Sequence, residues 1–183
     1  EACDIGKGDE VIVPSLTYVA CFQAISATGA TIIPCDVRED TLTIDVDDAI
    51  NKYTSKTRAI VPVHYASAMF DLKKLYKFAK RKKIRVIEDA AHAFGSYNNN
   101  KLVGSDGDIF TFSFDGIKNI TAGEGGCVVS KDKKVINSVR TLRVLGIVGN
   151  ISSKVKSPLH EPILIWSDEY IFGIKTWSSS LNF

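Results

Sequence analysis

The residues able to do chemistry are concentrated between Glu88 and Gly126. This stretch reads E-D-A-A-H-A-F-G at 88–95 and F-S-F-D-G-I-K-N-I-T-A-G-E-G-G at 112–126. Glu88 and Asp89 suggest acid–base work, but neighbouring residues on a strand point to opposite faces, so the two cannot serve one site together. Either one of them faces a ligand or caps a turn, or both simply end a strand. Lys118 follows an aromatic, strand-like run and precedes a glycine-dense turn. Lysines are mostly surface residues. An amine held at a sheet edge and partly withdrawn from water, however, keeps a lone pair for attack on an aldehyde, giving a Schiff base. Gly123-Glu124-Gly125-Gly126 lacks the spacing of a Walker or dinucleotide loop and reads as a tight turn. His64, His92 and His160 show no metal spacing with one another or with the cysteines, so no metal site is expected. The absence of G-x-S-x-G removes the usual argument for a serine hydrolase.

Such residues need a frame to hold them, and the apolar pattern supplies one. Short apolar runs at 11–14, 31–33, 59–63, 84–87, 109–114 and 127–130 read as strands. Helical spacing appears at 17–28, 45–53, 70–83 and 131–145, with Gly29 as a stop for the first and acidic residues opening the second. In 70–83, Leu72, Leu75, Tyr76 and Ala79 share one face, and Lys and Arg crowd the last turn. Strands alternating with helices predict an α/β domain built on a mostly parallel sheet. Ligands gather at the carboxyl ends of such strands. Asp89 and His64, each just past an apolar run, therefore become candidates.

The whole chain has 183 residues, of which 45% are hydrophobic, 24% charged and 9% aromatic, which excludes a disordered chain. About one domain is expected at this length, with a core large enough to need no staples. A balance of 23 Lys+Arg against 21 Asp+Glu leaves a net charge of +2, no footprint for nucleic acid. Residues 11–35 carry no charge, but prolines, serines, threonines and Gly29 interrupt them, so they read as buried strand–helix–strand rather than a membrane span. No leader is read at the first residues, where Glu1, Asp4, Lys7, Asp9 and Glu10 are misplaced for one. Cys3, Cys21, Cys35 and Cys127 lie far apart, so reduced thiols and a cytoplasmic protein are expected. From about residue 151 the texture changes: both tryptophans and many serines appear, with no helix or strand period.

The two long motifs resemble those of the DegT/DnrJ/EryC1/StrS group of sugar aminotransferases, which are fold-type-I pyridoxal 5′-phosphate enzymes. G-D-E-V-I-V-P-S-L-T-Y-V-A at 8–20 and V-H-Y-A at 63–66 are similar to the same group, in family order over about residues 5–149. The resemblance implies a three-layer sandwich with a mostly parallel sheet, the large domain of such an aminotransferase. Residue by residue, Lys118 matches the lysine that bonds the cofactor and moves the proton. Asp89 matches the carboxylate that pairs with the pyridine nitrogen and keeps it protonated, so that the ring takes up electrons. His92 matches the position against the ring or its phenolic oxygen, Ser113 a phosphate-holding hydroxyl, and Tyr18 an aromatic residue stacked on the other ring face. Without the resemblance, Tyr18 would read as a core tyrosine and His92 as a satisfied core histidine.

The reaction implied moves an amino group from an amino acid, glutamate above all, to a nucleotide-linked keto-deoxysugar in amino-sugar and polysaccharide biosynthesis. A homodimer is implied as well, with no nucleic acid, membrane or metal partner. Relatives carry a phosphate-cradling G-T-x-A-L-like motif before the first strand and a tyrosine- and arginine-containing segment after the large domain, and neither is matched here. The expected organisation is thus a cofactor-binding large domain over 1–149, incomplete at its N-terminus, and a divergent or truncated tail over 150–183, with little turnover by the chain alone. The competing expectation is a non-catalytic remnant that dimerises with or regulates a complete enzyme. A sugar dehydratase of the same group would carry histidine at position 118, and a nicotinamide-binding domain would show G-x-G-x-x-G after its first strand.

Overall fold

The computed structural model describes residues 1–143 and the strand Ile163–Trp166. Its strands are β1 (Glu10–Pro14), β2 (Thr31–Cys35), β3 (Thr57–Ile60), β4 (Arg85–Asp89), β5 (Tyr97–Asn98), β6 (Lys101–Leu102), β7 (Ile109–Ser113), β8 (Gly126–Ser130) and β9 (Ile163–Trp166). The helices are α1 (Val19–Ala27), α2 (Val46–Asn51), α3 (Lys73–Lys82) and α4 (Lys133–Leu142). Seven strands form one sheet in the order β2-β1-β3-β4-β7-β8-β9, and β5–β6 is a separate hairpin. β2, β1, β3, β4 and β7 run parallel, β8 is antiparallel to β7, and β9 is antiparallel to β8. The mostly parallel α/β architecture is therefore the one the alternating pattern predicts.

Alternation along the central strands builds the layers. Ile12 of β1 packs with Ile60, Val86, Leu75 and Phe78 in a core that includes α3. Its neighbours Val11 and Val13 join Ala59, Val61 and Ile25 of α1 in a second core. Residues one apart on β1 thus feed opposite faces, as the pleat requires. A third cluster, with Phe110, Phe112, Phe114 and Cys127, fills the space around β7 and β8. Parallel strands covered on both faces carry continuous apolar runs, which is why β1 reads V-I-V-P.

Several boundaries differ from expectation for local reasons. α1 starts two residues late because Tyr18 is extended, with φ −69° and ψ 144°. β3 stops at Ile60, two residues before Pro62, which has no N–H for the ladder. α2 and α4 start where Asp45 and Asp132 cap them through backbone N–H groups. The hairpin β5–β6 was not legible in a polar run, and Asn99 and Asn100 both turn through positive φ. β9 corrects the expectation of a tail without strand character. The remainder of the tail, the 149/150 division and the end of the 131–145 helix lie outside the described residues. Among the described residues, no helix is long and apolar enough to cross a membrane.

The loop before β7 is packed to its limit. A Cβ on Gly107 would lie 2.5 Å from the Phe110 ring and 2.6 Å from Tyr76 Oη. Gly107→Ala should therefore destabilise the chain by about 1–3 kcal/mol. A fall in the urea midpoint checks this, and an unchanged midpoint would show that Phe110 has room to move.

Candidate cofactor site

The end of β4 is held from both sides of the chain. After β3 ends, Pro62 O accepts a hydrogen bond from Asp89 N at 2.9 Å, and Asp89 O accepts one from His64 N at 2.9 Å. This fixes Asp89 at the carboxyl end of its strand. Its Oδ1 accepts from Ala91 N at 3.0 Å, and its Oδ2 accepts from the Cys21 thiol at 3.0 Å. Glu88 goes to the opposite face, as strand alternation demands. There its Oε2 lies 2.7 Å from His64 Nε2, and its Oε1 accepts from the Tyr76 hydroxyl. Burial, reinforced by the charge of Glu88, pushes the Tyr76 phenol far up. His64, a candidate by its place after β3, is only 1% exposed. It is a core residue bonded to Glu88 and does not face the site of Asp89.

His92 sits in the turn that leaves β4, where Ala90 N reaches across to Thr111 O at 2.8 Å. Ala66 N donates to His92 Nδ1 at 3.2 Å, and the Ser67 hydroxyl donates to His92 O. With Nδ1 accepting, the proton of the neutral ring belongs on Nε2. The Tyr65 ring meets His92 edge-on at 6.2 Å. The 3-10 turn Tyr65–Ser67 that supplies these contacts is left-handed at Ala66 (φ 48°) and Ser67 (φ 62°). His92 is half-buried with a protein partner on one nitrogen, so it is not enclosed in the core.

Ser113 and Lys118 follow from β7. Ser113 is the last residue of that strand, and its Oγ accepts from Asp115 N at 3.3 Å. Lys118 lies half-buried in the loop beyond, with its N–H bonded to Asp115 O at 3.0 Å. Asn119 Nδ2 donates to Phe94 O at 2.7 Å and so ties the Lys118 loop to the turn carrying His92. The glycine run is a tight turn, with φ +80° at Gly123 and its N–H on Thr121 Oγ1 at 2.9 Å. Tyr18 stands just after β1 at the start of α1 and is 75% exposed, which excludes a core role.

All five predicted residues thus follow the carboxyl ends of parallel strands: Tyr18 after β1, Asp89 and His92 at β4, Ser113 and Lys118 at β7. The sheet brings them to one edge, although no hydrogen bond joins any two of these five side chains among the described residues. Sequence reading missed Cys21, Thr17, Asn119 and the 65–67 turn. Thr17 lies before the extended N-cap Tyr18 and Cys21 in the first turn of α1, and the Thr17 hydroxyl donates to Cys21 Sγ at 3.2 Å. That contact was hidden because Cys21 looked like one of four scattered thiols.

A carboxylate, an amine, an imidazole and a hydroxyl at one sheet edge match a site for an aldehyde cofactor with a ring nitrogen and a phosphate. Comparison with known proteins settles the lineage. The DegT/DnrJ/EryC1/StrS aminotransferase family matches residues 1–162. The chain belongs to this family. Among solved structures of similar proteins, S. venezuelae DesV in complex with a ketimine intermediate is 38% identical, with a TM-score of 0.78 over 85% of this chain and 42% of that one. Spr1654 of Streptococcus pneumoniae in its PLP form is 34% identical, with a TM-score of 0.68 over 76% of this chain and 39% of that one. An aminotransferase from Psychrobacter cryohalolentis is 33% identical, with a TM-score of 0.78 over 87% of this chain and 41% of that one. The chain spans about two fifths of the length of each of these DegT/DnrJ/EryC1/StrS-like structures.

Proposed function

We propose that the chain is the cofactor-binding part of an aminotransferase that moves an amino group from glutamate to a nucleotide-linked keto-deoxysugar, as a cytoplasmic homodimer in amino-sugar biosynthesis. Its cofactor is pyridoxal 5′-phosphate. The observation that carries this reading is the arrival of Lys118 and Asp89 at one sheet edge, from the neighbouring parallel strands β7 and β4.

When bound, the cofactor supplies an aldehyde for the amine and a ring that takes up electrons as a substrate C–H bond ionises. Lys118 Nζ would bond that aldehyde with loss of water and, once released, would carry a proton from and to the substrate carbon. Asp89 would hold the ring nitrogen's proton, His92 Nε2 would supply a donor to the cofactor, Ser113 Oγ would donate to the phosphate, and Tyr18 would supply an aromatic ring against the cofactor. Lysine at position 118, where the dehydratase would have histidine, favours transfer of nitrogen over removal of a hydroxyl. Borohydride reduction with the cofactor present should fix the label on Lys118. Recovery of the label on Lys101 or another lysine instead would overturn the assignment.

A further inference from the structure

We propose that Cys21 is a positioning residue for Asp89. The thiol donates to Asp89 Oδ2 at 3.0 Å and is itself held by the Thr17 hydroxyl, which donates to Cys21 Sγ at 3.2 Å. Ala91 N occupies Oδ1 at 3.0 Å. Each carboxylate oxygen therefore has one protein donor, and the two donors come from different elements, α1 and the turn after β4. A carboxylate held at both oxygens has its plane fixed, so its remaining lone pairs keep one direction. The inference rests on the role given to Asp89 above: a ring N–H needs such a fixed acceptor more than it needs a merely nearby charge.

The contact also has a chemical signature of its own. Burial, together with the charge and hydrogen bond of Asp89, pushes the Cys21 thiol up to about 12, so at neutral pH it remains an S–H donor. Cys21 is accordingly a fixed proton donor and a poor nucleophile.

Two measurements test this. In the cofactor-free chain at pH 8.5, alkylation of Cys21 by iodoacetamide, followed residue by residue by mass spectrometry, should be slow. It should speed up by about tenfold or more in Asp89→Asn, where the neighbouring negative charge is gone. An unchanged rate would overturn the contact. With pyridoxal 5′-phosphate labelled at its ring nitrogen, Cys21→Ala should shift the nitrogen resonance in the same direction as Asp89→Asn and weaken cofactor binding about tenfold. Cys21→Ser, which restores a donor, should return both toward wild type. A Cys21→Ala spectrum identical to wild type, beside a shifted Asp89→Asn spectrum, would overturn the positioning role and leave that of Asp89 intact. An unshifted Asp89→Asn spectrum would instead overturn the functional reading, and the alkylation contrast would then report the thiol–carboxylate contact alone.

Discussion

In a full-length context, Asp89→Asn should lower amino transfer from glutamate by about two to three orders of magnitude while costing about 1 kcal/mol of stability. The amide keeps the size of the carboxylate and can still accept from Cys21 or Ala91, whose bonds to Asp89 are both 3.0 Å long. On the role proposed for Asp89, it loses the negative charge that would hold the proton of the ring nitrogen. The loss therefore falls on chemistry and barely touches the fold. Turnover beside the urea midpoint is the measurement, and wild-type turnover would reduce Asp89 to a strand-end residue. Glu88→Gln is the matched control and should affect turnover much less.

The neighbouring position should respond in the opposite way. Glu88→Leu should destabilise the protein by about 3 kcal/mol or more. Glu88 is 4% exposed, and its two oxygens serve His64 Nε2 and the Tyr76 hydroxyl. Leucine would strand both donors in the core. His64 Nδ1 already has no hydrogen-bond partner among the described residues, so the ring would be left with neither nitrogen bonded. Tyr76 Oη also accepts from Asp108 N at 3.1 Å, so the damage would reach the entry to β7. Thermal and urea unfolding both report this, and a midpoint within experimental scatter of wild type would show that the buried network contributes nothing net.

These contrasting neighbours show how much the sequence could disclose. The apolar run before Glu88-Asp89 and the strict alternation of a strand are local properties, so the pointing of the two side chains to opposite faces was legible. The place of Asp89 at a strand's carboxyl end was legible too, whereas Tyr18, His92 and Ser113 were named only through the family resemblance. The assignment of His64 failed because its environment depends on Tyr76 and Glu88, residues brought to it by α3 and β4 rather than by its own segment. Cys21 escaped for the same reason: its partner is 68 residues away. The hairpin β5–β6 escaped because its turn relies on asparagines taking positive φ in a polar run, and strand β9 because four apolar residues carry no periodicity of their own.

The left-handed pair Ala66–Ser67 has an evolutionary consequence. Each non-glycine residue in that conformation costs about 1–2 kcal/mol, yet both hold His92, one by its N–H and one by its hydroxyl. Glycine at position 67 would relieve strain but forfeit the hydroxyl and loosen the turn. A laboratory search for heat-resistant variants should therefore favour Ser67→Gly early, and the survivors should bind cofactor less tightly. On the role proposed for His92, stability and cofactor binding would then pull in opposite directions at this one bend.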